Sequence, residues 1–430
     1  MLGLNTKLAE YEAQGNRIYV SLIGAGQMGT GMISQMVRMK AMVPGLIVDI
    51  NKENAQAALR YAGIKEKDII EVNDVDALNT ALNGGKYAFT TDLSLATKGD
   101  LIDVVVEATG VPDIGAKVAL DAIFNHKHIV MLNVETDVVI GPLLKQMADS
   151  AGVIYTGTAG DEPGSVRELY DFADAMGLEI VAVGKGKNNP VNLAATPDSV
   201  KDQAAASGVS PRMLTEFKDG TKTMIEMAAM ANSMGFTPDV RGAHGASASV
   251  DELADLFRLK EDGGILSRYG VVDYVNGVAP GVFIIVTTDN QIVHDEMKYL
   301  SMGDGPLYTL YRPYHLTSLE TPLTAARAVL YNEPTIVPRG GQLVAEVLTV
   351  AKKDLLPGDV IDGIGGYTVY GSIDTYDTAK SENALPIGLA ADAVVKVAIK
   401  QGTVITKDMV QMDNTSLIFK LRELQEKLIG

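Results

Sequence analysis

The chain has 430 residues, 47% of them hydrophobic, enough for two or three domains with sizeable cores. Its 37 basic and 54 acidic side chains give a formal charge of −17 with no block of like charge, which argues against non-specific nucleic-acid binding. The absence of cysteine excludes disulfides, thiolate metal sites and a cysteine nucleophile, and no run approaches the roughly 18 apolar residues that span a bilayer.

Residues 1–14 mix Lys7, Glu10 and Glu12 among apolar residues and read as neither a secretory signal nor a transit peptide, so a cytoplasmic address is expected. Tyr19 to Ile23 reads as a buried strand that runs into Gly24-Ala25-Gly26-Gln27-Met28-Gly29 and then a helix from Met28 to Met39. Gly24 permits the tight turn, Gly26 lets backbone approach a pyrophosphate, and Gly29 allows close strand-helix packing. A second strand, 45–49, ends in Asp49, 20 residues beyond Gly29, where a dinucleotide fold places the acceptor of the ribose hydroxyls. Lys52 is close enough in sequence to offset repulsion of a 2′-phosphate, so NADP or NAD is the expected cofactor.

Further strands are expected at 102–107, 128–132 and 152–156, alternating with helices, the pattern of a parallel sheet covered on both faces. Glu107-Ala108-Thr109-Gly110 ends the first of these in small residues that could face the nicotinamide. The expected fold is therefore α/β, a Rossmann-type doubly wound parallel sheet over residues 1–157.

The character changes at Gly160-Asp161-Glu162-Pro163-Gly164-Ser165, which opens a helix at 165–176, followed by a strand at 178–183. A central α+β substrate domain is expected over 158–317, with a helix at 219–234 and a strand at 281–287. Hydride transfer needs a carbonyl near the nicotinamide, a proton donor and exclusion of water. Three clusters could supply them: Asp161 with Glu162; Lys185, Lys187, Asn188 and Asn189 after the 178–183 strand; and Asp219 with Lys222 on one face at the start of the 219–234 helix. A solvated loop or capped helix end is the plain alternative for each. Met28, Met32, Met36 and Met39, and again Met224, Met227, Met230 and Met234, recur at helical spacing and read as core stripes. No histidine pair has a metal-ligand spacing, so no metal is expected.

A helical stretch after Pro322 is expected to return to the nucleotide domain over 318–335. From about Val337 short β-prone runs punctuated by glycine follow, with Pro357-Gly358-Asp359-Val360-Ile361 echoed by Gln401-Gly402-Thr403-Val404-Ile405. This reads as a third module, 337–430, closed by a helix at 414–428 with Leu417, Leu421, Leu424 and Leu428 on one face.

The order of the glycine motif, Glu-Ala-Thr-Gly (107–110), Asn133 after the next strand, the acidic junction at 160–164 and the Thr-Ala-rich helix at 324–330 resembles the homoserine-dehydrogenase-like oxidoreductases over most of the first 335 positions. The resemblance implies a cofactor role for Asn133 and places Asp219 and Lys222 at the family's catalytic helix. The family's Asn-Lys pair reads Asn133-Val134 here, and its Gly-Ala-Gly loop reads Arg312-Pro313-Tyr314-His315. The tail resembles a SAF domain, a β-clip fold, and the combination is similar to the 1-deoxy-D-xylulose-5-phosphate reductoisomerase-like proteins. That likeness implies NADPH-dependent isomerisation and reduction of a ketose phosphate in isoprenoid precursor synthesis. The reading reached is an NAD(P)-dependent oxidoreductase acting on a small phosphorylated keto sugar in a cleft between the nucleotide domain and 158–317. The alternatives are a homoserine-type dehydrogenase and a non-catalytic nicotinamide-binding sensor. The expected partners are a small-molecule substrate and further copies of the chain, in a homodimer or higher homo-oligomer, with neither nucleic acid nor membrane.

Overall fold

The backbone of the first third of the chain is organised by β1 (Ile18–Ile23), whose alternate residues Ile18, Val20 and Leu22 are wholly buried in a computed structural model that describes residues 3–429. On the other face Ser21 and Ile23 are buried as well, and burial on both faces is what a central parallel strand requires. Around it lie β2 (Met42–Val48), β3 (Ile69–Glu71), β4 (Tyr87–Thr90), β5 (Ile102–Glu107), β6 (His128–Met131) and β7 (Tyr155–Gly157). They form one parallel sheet in the order β3-β4-β2-β1-β5-β6-β7. The order reverses at β1, which pairs with β2 on one side and β5 on the other, Ile23 opposite Glu107. Ligands of open α/β sheets bind outside the carboxyl ends of the strands at such a switch point. The short strands β3 and β4 lie beyond the sequence expectation, because three or four residues carry too little periodicity to be read.

The chain divides into two compact units, one of 1–161, 316–337 and 421–430, the other of 162–315 and 338–420. In the first, the helix Thr317–Tyr331 packs on the helix Gln27–Met36, and Gly31 leaves room for Ser318, whose Oγ would lie 2.8 Å from an added Cβ. Thr324 Oγ1 accepts a hydrogen bond from the Ala159 amide at 2.8 Å, and Gly157 pairs with Ile336. The helix beginning near Met28 is shorter than expected, and Met28 is exposed while Met32 and Met36 are core, so that stripe starts one turn later.

The C-terminal helix Leu417–Leu428 does not bury its leucine row. Only Leu421 of that row is buried; Leu424 and Leu428 are exposed, and Ile418, Arg422 and Gln425 are buried in their place. The reason lies in the helix Val134–Ala151, which contains Pro142. Proline cannot donate a helical bond and its ring crowds the preceding turn. Next to it the Val139 carbonyl accepts from Arg422 Nη1 and Gln425 Nε2, each at 3.0 Å, and the Leu143 amide donates to Gln425 Oε1 at 3.0 Å. One glutamine amide thus closes a gap in the ladder of another helix.

The second unit is built on a mixed sheet in the order β11-β10-β8-β9, from β8 (Glu179–Lys187), β9 (Val271–Asn276), β10 (Val282–Thr287) and β11 (Tyr308–Arg312). The helices Glu162–Ala175 and Thr221–Met234 pack on this sheet, and Leu253, Phe257, Leu266 and Phe283 form a further core. The expected strand ending at 183 in fact continues to Lys187, which places Lys185 and Lys187 inside the strand and buries both. The strands β12 (Ala345–Ala351) and β13 (Val369–Thr375) pair antiparallel and pack against the 221–234 helix. As a result every residue of that helix except Lys222 is buried, and its methionines are core. The last strands, β14 (Val394–Val395) and β15 (Val410–Gln411), form a second small antiparallel pair. Residues 338–420 thus share a compact unit with 162–315. Among the described residues no helix is long and apolar enough to cross a membrane.

Candidate functional site

At the switch point of the first sheet the Gly24–Gly29 loop has the shape its sequence suggests. Gly24 has φ +97°, and a Cβ there would lie 2.8 Å from the Ala108 carbonyl oxygen, so β1 and β5 can bring their loops together only with glycine at 24. A Cβ on Gly29 would strike the Gly24 carbonyl oxygen. Gly26, by contrast, has open space around its missing Cβ and begins the 27–36 helix with no side-chain cap. An uncapped helix start with room above a glycine suits a dinucleotide pyrophosphate. Ala25 is held by Asp49, whose Oδ2 accepts from the Ala25 amide at 2.7 Å and whose Oδ1 accepts from the Asn51 amide at 2.8 Å. Lys52, expected to offset Asp49, is instead ion-paired with Glu71 at 2.5 Å.

Glu107, at the end of β5, is wholly buried. Its Oε1 accepts from the Thr109 amide at 2.9 Å and from the Thr109 hydroxyl, and Oε2 is buried with no hydrogen-bond partner among the described residues. Burial pushes this carboxyl up to about 7 against the opposing Thr109 bonds. Gly110 turns the chain at φ +70°. Asn133 is buried with both ends of its amide engaged: Nδ2 donates to the Val111 carbonyl at 3.0 Å, and Oδ1 caps the 134–151 helix at the Thr136 amide. Close by, burial pushes Asp137 up to about 6 against the hydrogen bond donated by Tyr155 at 2.7 Å.

These two carboxyls give the first unit a pH dependence. Both bind their protons more tightly folded than unfolded, so their contribution to stability is fully present below about pH 4 and declines as pH rises toward 6 and 7. The variant Glu107→Gln, which stays neutral, is therefore expected to gain stability over the parent by a few kcal/mol as pH rises, because each tenfold difference in proton affinity between the folded and unfolded chain is worth about 1.4 kcal/mol. Urea unfolding at about pH 5 and about pH 8 reads this directly. An equal difference at both values would remove Glu107 as the source.

The second unit carries the polar chemistry. Along β8 the sequence Gly184-Lys185-Gly186-Lys187 alternates faces. A Cβ on Gly184 would lie 3.0 Å from Phe283 Cε1, and one on Gly186 would lie 2.6 Å from the Val278 carbonyl carbon, so one face must be glycine. The other face presents both lysines to the 221–234 helix. Lys185 Nζ donates to Glu162 Oε1 at 2.7 Å and to Glu226 Oε2. His315 Nε2 lies 3.5 Å from the same Glu162 oxygen.

Burial pushes Glu162 up, but Lys185 and then His315 outweigh it and hold the carboxylate below its ordinary range. For Lys185 burial works downward, and Glu162 and Glu226 together hold the ammonium above its ordinary range. Glu226 is raised, by burial and then by the charge on Glu162, against Lys185 and Lys222. The group is therefore an ammonium held between two carboxyls whose proton affinities the site drives apart, Glu162 downward and Glu226 upward.

Sequence reasoning missed Glu226 and His315. The signal for Glu226 is a single carboxylate in a Met-Ala helix one turn after Lys222. Lys222 itself is partly exposed and acts on Glu226. Asp161 is buried at the bend before the Glu162–Ala175 helix. Asp219 does not share a helical face with Lys222, because it ends the helix Pro211–Lys218 and the next helix begins only at Thr221, after Gly220 in the left-handed conformation. Its Oδ2 instead accepts from Lys352 Nζ at 2.8 Å, with both side chains buried.

Residues 160–321 match the family described as oxidoreductase DRL, catalytic domain. A search of curated proteins gives no significant match. Among solved structures the chain is similar to a probable dehydrogenase from Thermotoga maritima, at 16% identity over 74% of this chain and 90% of that one, TM-score 0.42. It is similar also to GenD2 from gentamicin A biosynthesis in complex with NAD, at 13% identity over 74% and 88%, TM-score 0.36. A levoglucosan dehydrogenase in complex with NADH and levoglucosan aligns at 16% identity over 64% and 65%, TM-score 0.34. An oxidoreductase catalytic region in a chain whose other unit is a Rossmann-type sheet with this glycine loop makes the protein an NAD(P)-dependent oxidoreductase.

Proposed function

We propose that the protein transfers hydride between NAD(H) and a small polyhydroxyl carbonyl compound, with phosphorylated keto sugars the first class to test. The observation that carries the reading is the buried Glu162–Lys185–Glu226 group on an oxidoreductase catalytic region. A nicotinamide cofactor whose pyrophosphate is held at the Gly24–Gly29 loop would supply or accept the hydride. Lys185, fixed by its two carboxylates, polarises the substrate oxygen and needs no reorganisation to do so. Lys222 supplies positive charge for a phosphate or hydroxyl group, and Asp161 belongs to the acidic approach to Glu162. Ala108, Thr109 and Gly110 would border the nicotinamide side of such a cofactor, and Asn133 braces the turn that follows them through the Val111 carbonyl. Within the SAF-like segment, β12 and β13 support the 221–234 helix.

The test is an absorbance assay of the purified chain with NAD and NADP against sugar phosphates, polyols, hydroxy acids and aspartate semialdehyde. Turnover of a phosphorylated sugar supports the reading. Turnover of aspartate semialdehyde alone would replace it with a homoserine-type dehydrogenase, and cofactor binding without any turnover would leave a sensor. With Lys52 committed to Glu71, NAD is the expected cofactor. Asp49→Ser should weaken NAD binding about tenfold or more and raise the relative affinity for NADP, since it removes both the ribose acceptor and the brace on Ala25. Unchanged Kd values for both cofactors would take Asp49 out of the ribose site.

A further inference from the structure

Lys187 differs from every other buried lysine of the second unit. Lys185 is matched by two carboxylates and Lys352 by Asp219. Lys187 is only 8% exposed, yet its side-chain partners are two neutral oxygens, the Phe217 carbonyl at 2.9 Å and Thr223 Oγ1 at 3.3 Å. An ammonium has three N–H donors, so one is left uncommitted among the described residues. A buried cation without a counter-charge is costly, whereas a buried amine that can shed its proton is not. Lys187 also lies two positions from Lys185 on the same face of β8 and bonds the same helix one turn from Glu226.

We infer that Lys187 is the proton carrier of the reaction, the group that gives a proton to the carbonyl oxygen on reduction and takes the hydroxyl proton on oxidation. This rests on the oxidoreductase reading above. In reduction the hydride reaches the carbonyl carbon, the C=O π pair moves to oxygen, and that oxygen takes a proton from the Lys187 ammonium, leaving a neutral amine that solvent reprotonates. In oxidation each transfer reverses. The division of labour is physical: Lys185 is locked as a cation and cannot cycle, whereas Lys187 has only neutral partners and can. The charged groups acting on it are Lys185 on its own strand, Glu226 on the 221–234 helix, Asp219 at the end of the 211–218 helix and Glu162 on the 162–175 helix. Burial, then Lys185, lower its ammonium to about 8 against the three carboxylates.

Two measurements on the full chain test this. The first is the pH profile of kcat with a substrate found by the panel. Wild type should show a limb near pH 8, rising with pH in oxidation and falling in reduction. Lys187→Met should lower kcat by about 100-fold or more while leaving the Kd for NAD within about threefold. Lys187→Arg, which keeps the charge but cannot release it, should lose the limb. A Lys187→Met enzyme near wild-type kcat, or a limb that stays in place in Lys187→Arg, overturns the inference alone. The second is trace acetylation of the wild-type chain with acetic anhydride across pH, read by mass spectrometry, which reports the amine even if Lys187→Met fails to fold. Half-reaction near pH 8 is expected, and half-reaction in the ordinary lysine range overturns the inference. If cofactor binds and no panel compound turns over, the oxidoreductase reading fails first and takes this one with it.

Discussion

Lys185→Met is expected to lower kcat by roughly 100- to 1,000-fold, the usual loss when a preorganised donor to a developing oxyanion is removed. The same substitution strands two buried carboxyls. Glu162 and Glu226 now share one ammonium, and removing one partner of a buried ionic group costs about 3–5 kcal/mol. Part of that loss should be relieved by uptake of a proton at Glu226, whose carboxyl is already raised. The variant should therefore recover stability as pH falls, and Lys185→Met/Glu226→Gln should recover it at neutral pH. Neither change restores the fixed cation, so kcat stays low in both. Unfolding midpoints and kcat measured on the same preparations separate the two effects. Near-normal kcat in Lys185→Met would place the chemistry elsewhere in the chain.

The nucleotide half was legible in the sequence because its signal is local. A strand, a glycine turn, a helix and Asp49 lie within 32 consecutive residues, 18–49, and each has a steric reason to be what it is. The polar group was legible only in part. Lys185 and Glu162 were found, but Gly184 to Lys187 read as a loop because glycine and lysine are poor strand formers. The packing explains the error: the glycines are demanded by Phe283 and the 278–279 backbone, which no window around 185 contains. Glu226, His315 and Lys352 lie 41, 130 and 167 positions from Lys185, so only the tertiary fold brings them into one unit. The leucine row of the last helix failed for a related reason. Its docking face is set by the carbonyl and amide that Pro142 exposes, and these select Arg422 and Gln425 over Leu424 and Leu428.

Lys352→Met is the second substitution with a large expected effect, and it acts on stability rather than on chemistry. The ammonium is buried and fully used: it donates to Asp219 Oδ2 at 2.8 Å, to the Ala195 carbonyl at 2.9 Å and to the Gly366 carbonyl at 2.8 Å. Removing it leaves a buried carboxylate and two buried carbonyls unanswered, at a cost of about 3–5 kcal/mol. Asp219 also accepts from the Thr221 amide at 2.9 Å, where the catalytic helix starts, and Thr221 Oγ1 accepts from the Gly371 amide on β13 at 2.9 Å. The pair thus ties the start of the 221–234 helix to β12 and β13. Adding Asp219→Asn keeps the Thr221 bond and removes the charge, so Asp219→Asn/Lys352→Met should regain most of the loss. By the same argument a chain ending at Glu333 should fail to fold its second unit, since it lacks Lys352 and both strands that cover the helix. It also lacks Arg422 and Gln425, so the turn at Pro142 in the nucleotide unit loses its partners as well. Urea unfolding reads all three. A Lys352→Met protein within about 0.5 kcal/mol of the parent, the scale of an ordinary surface change, would show that the pair does not hold the helix.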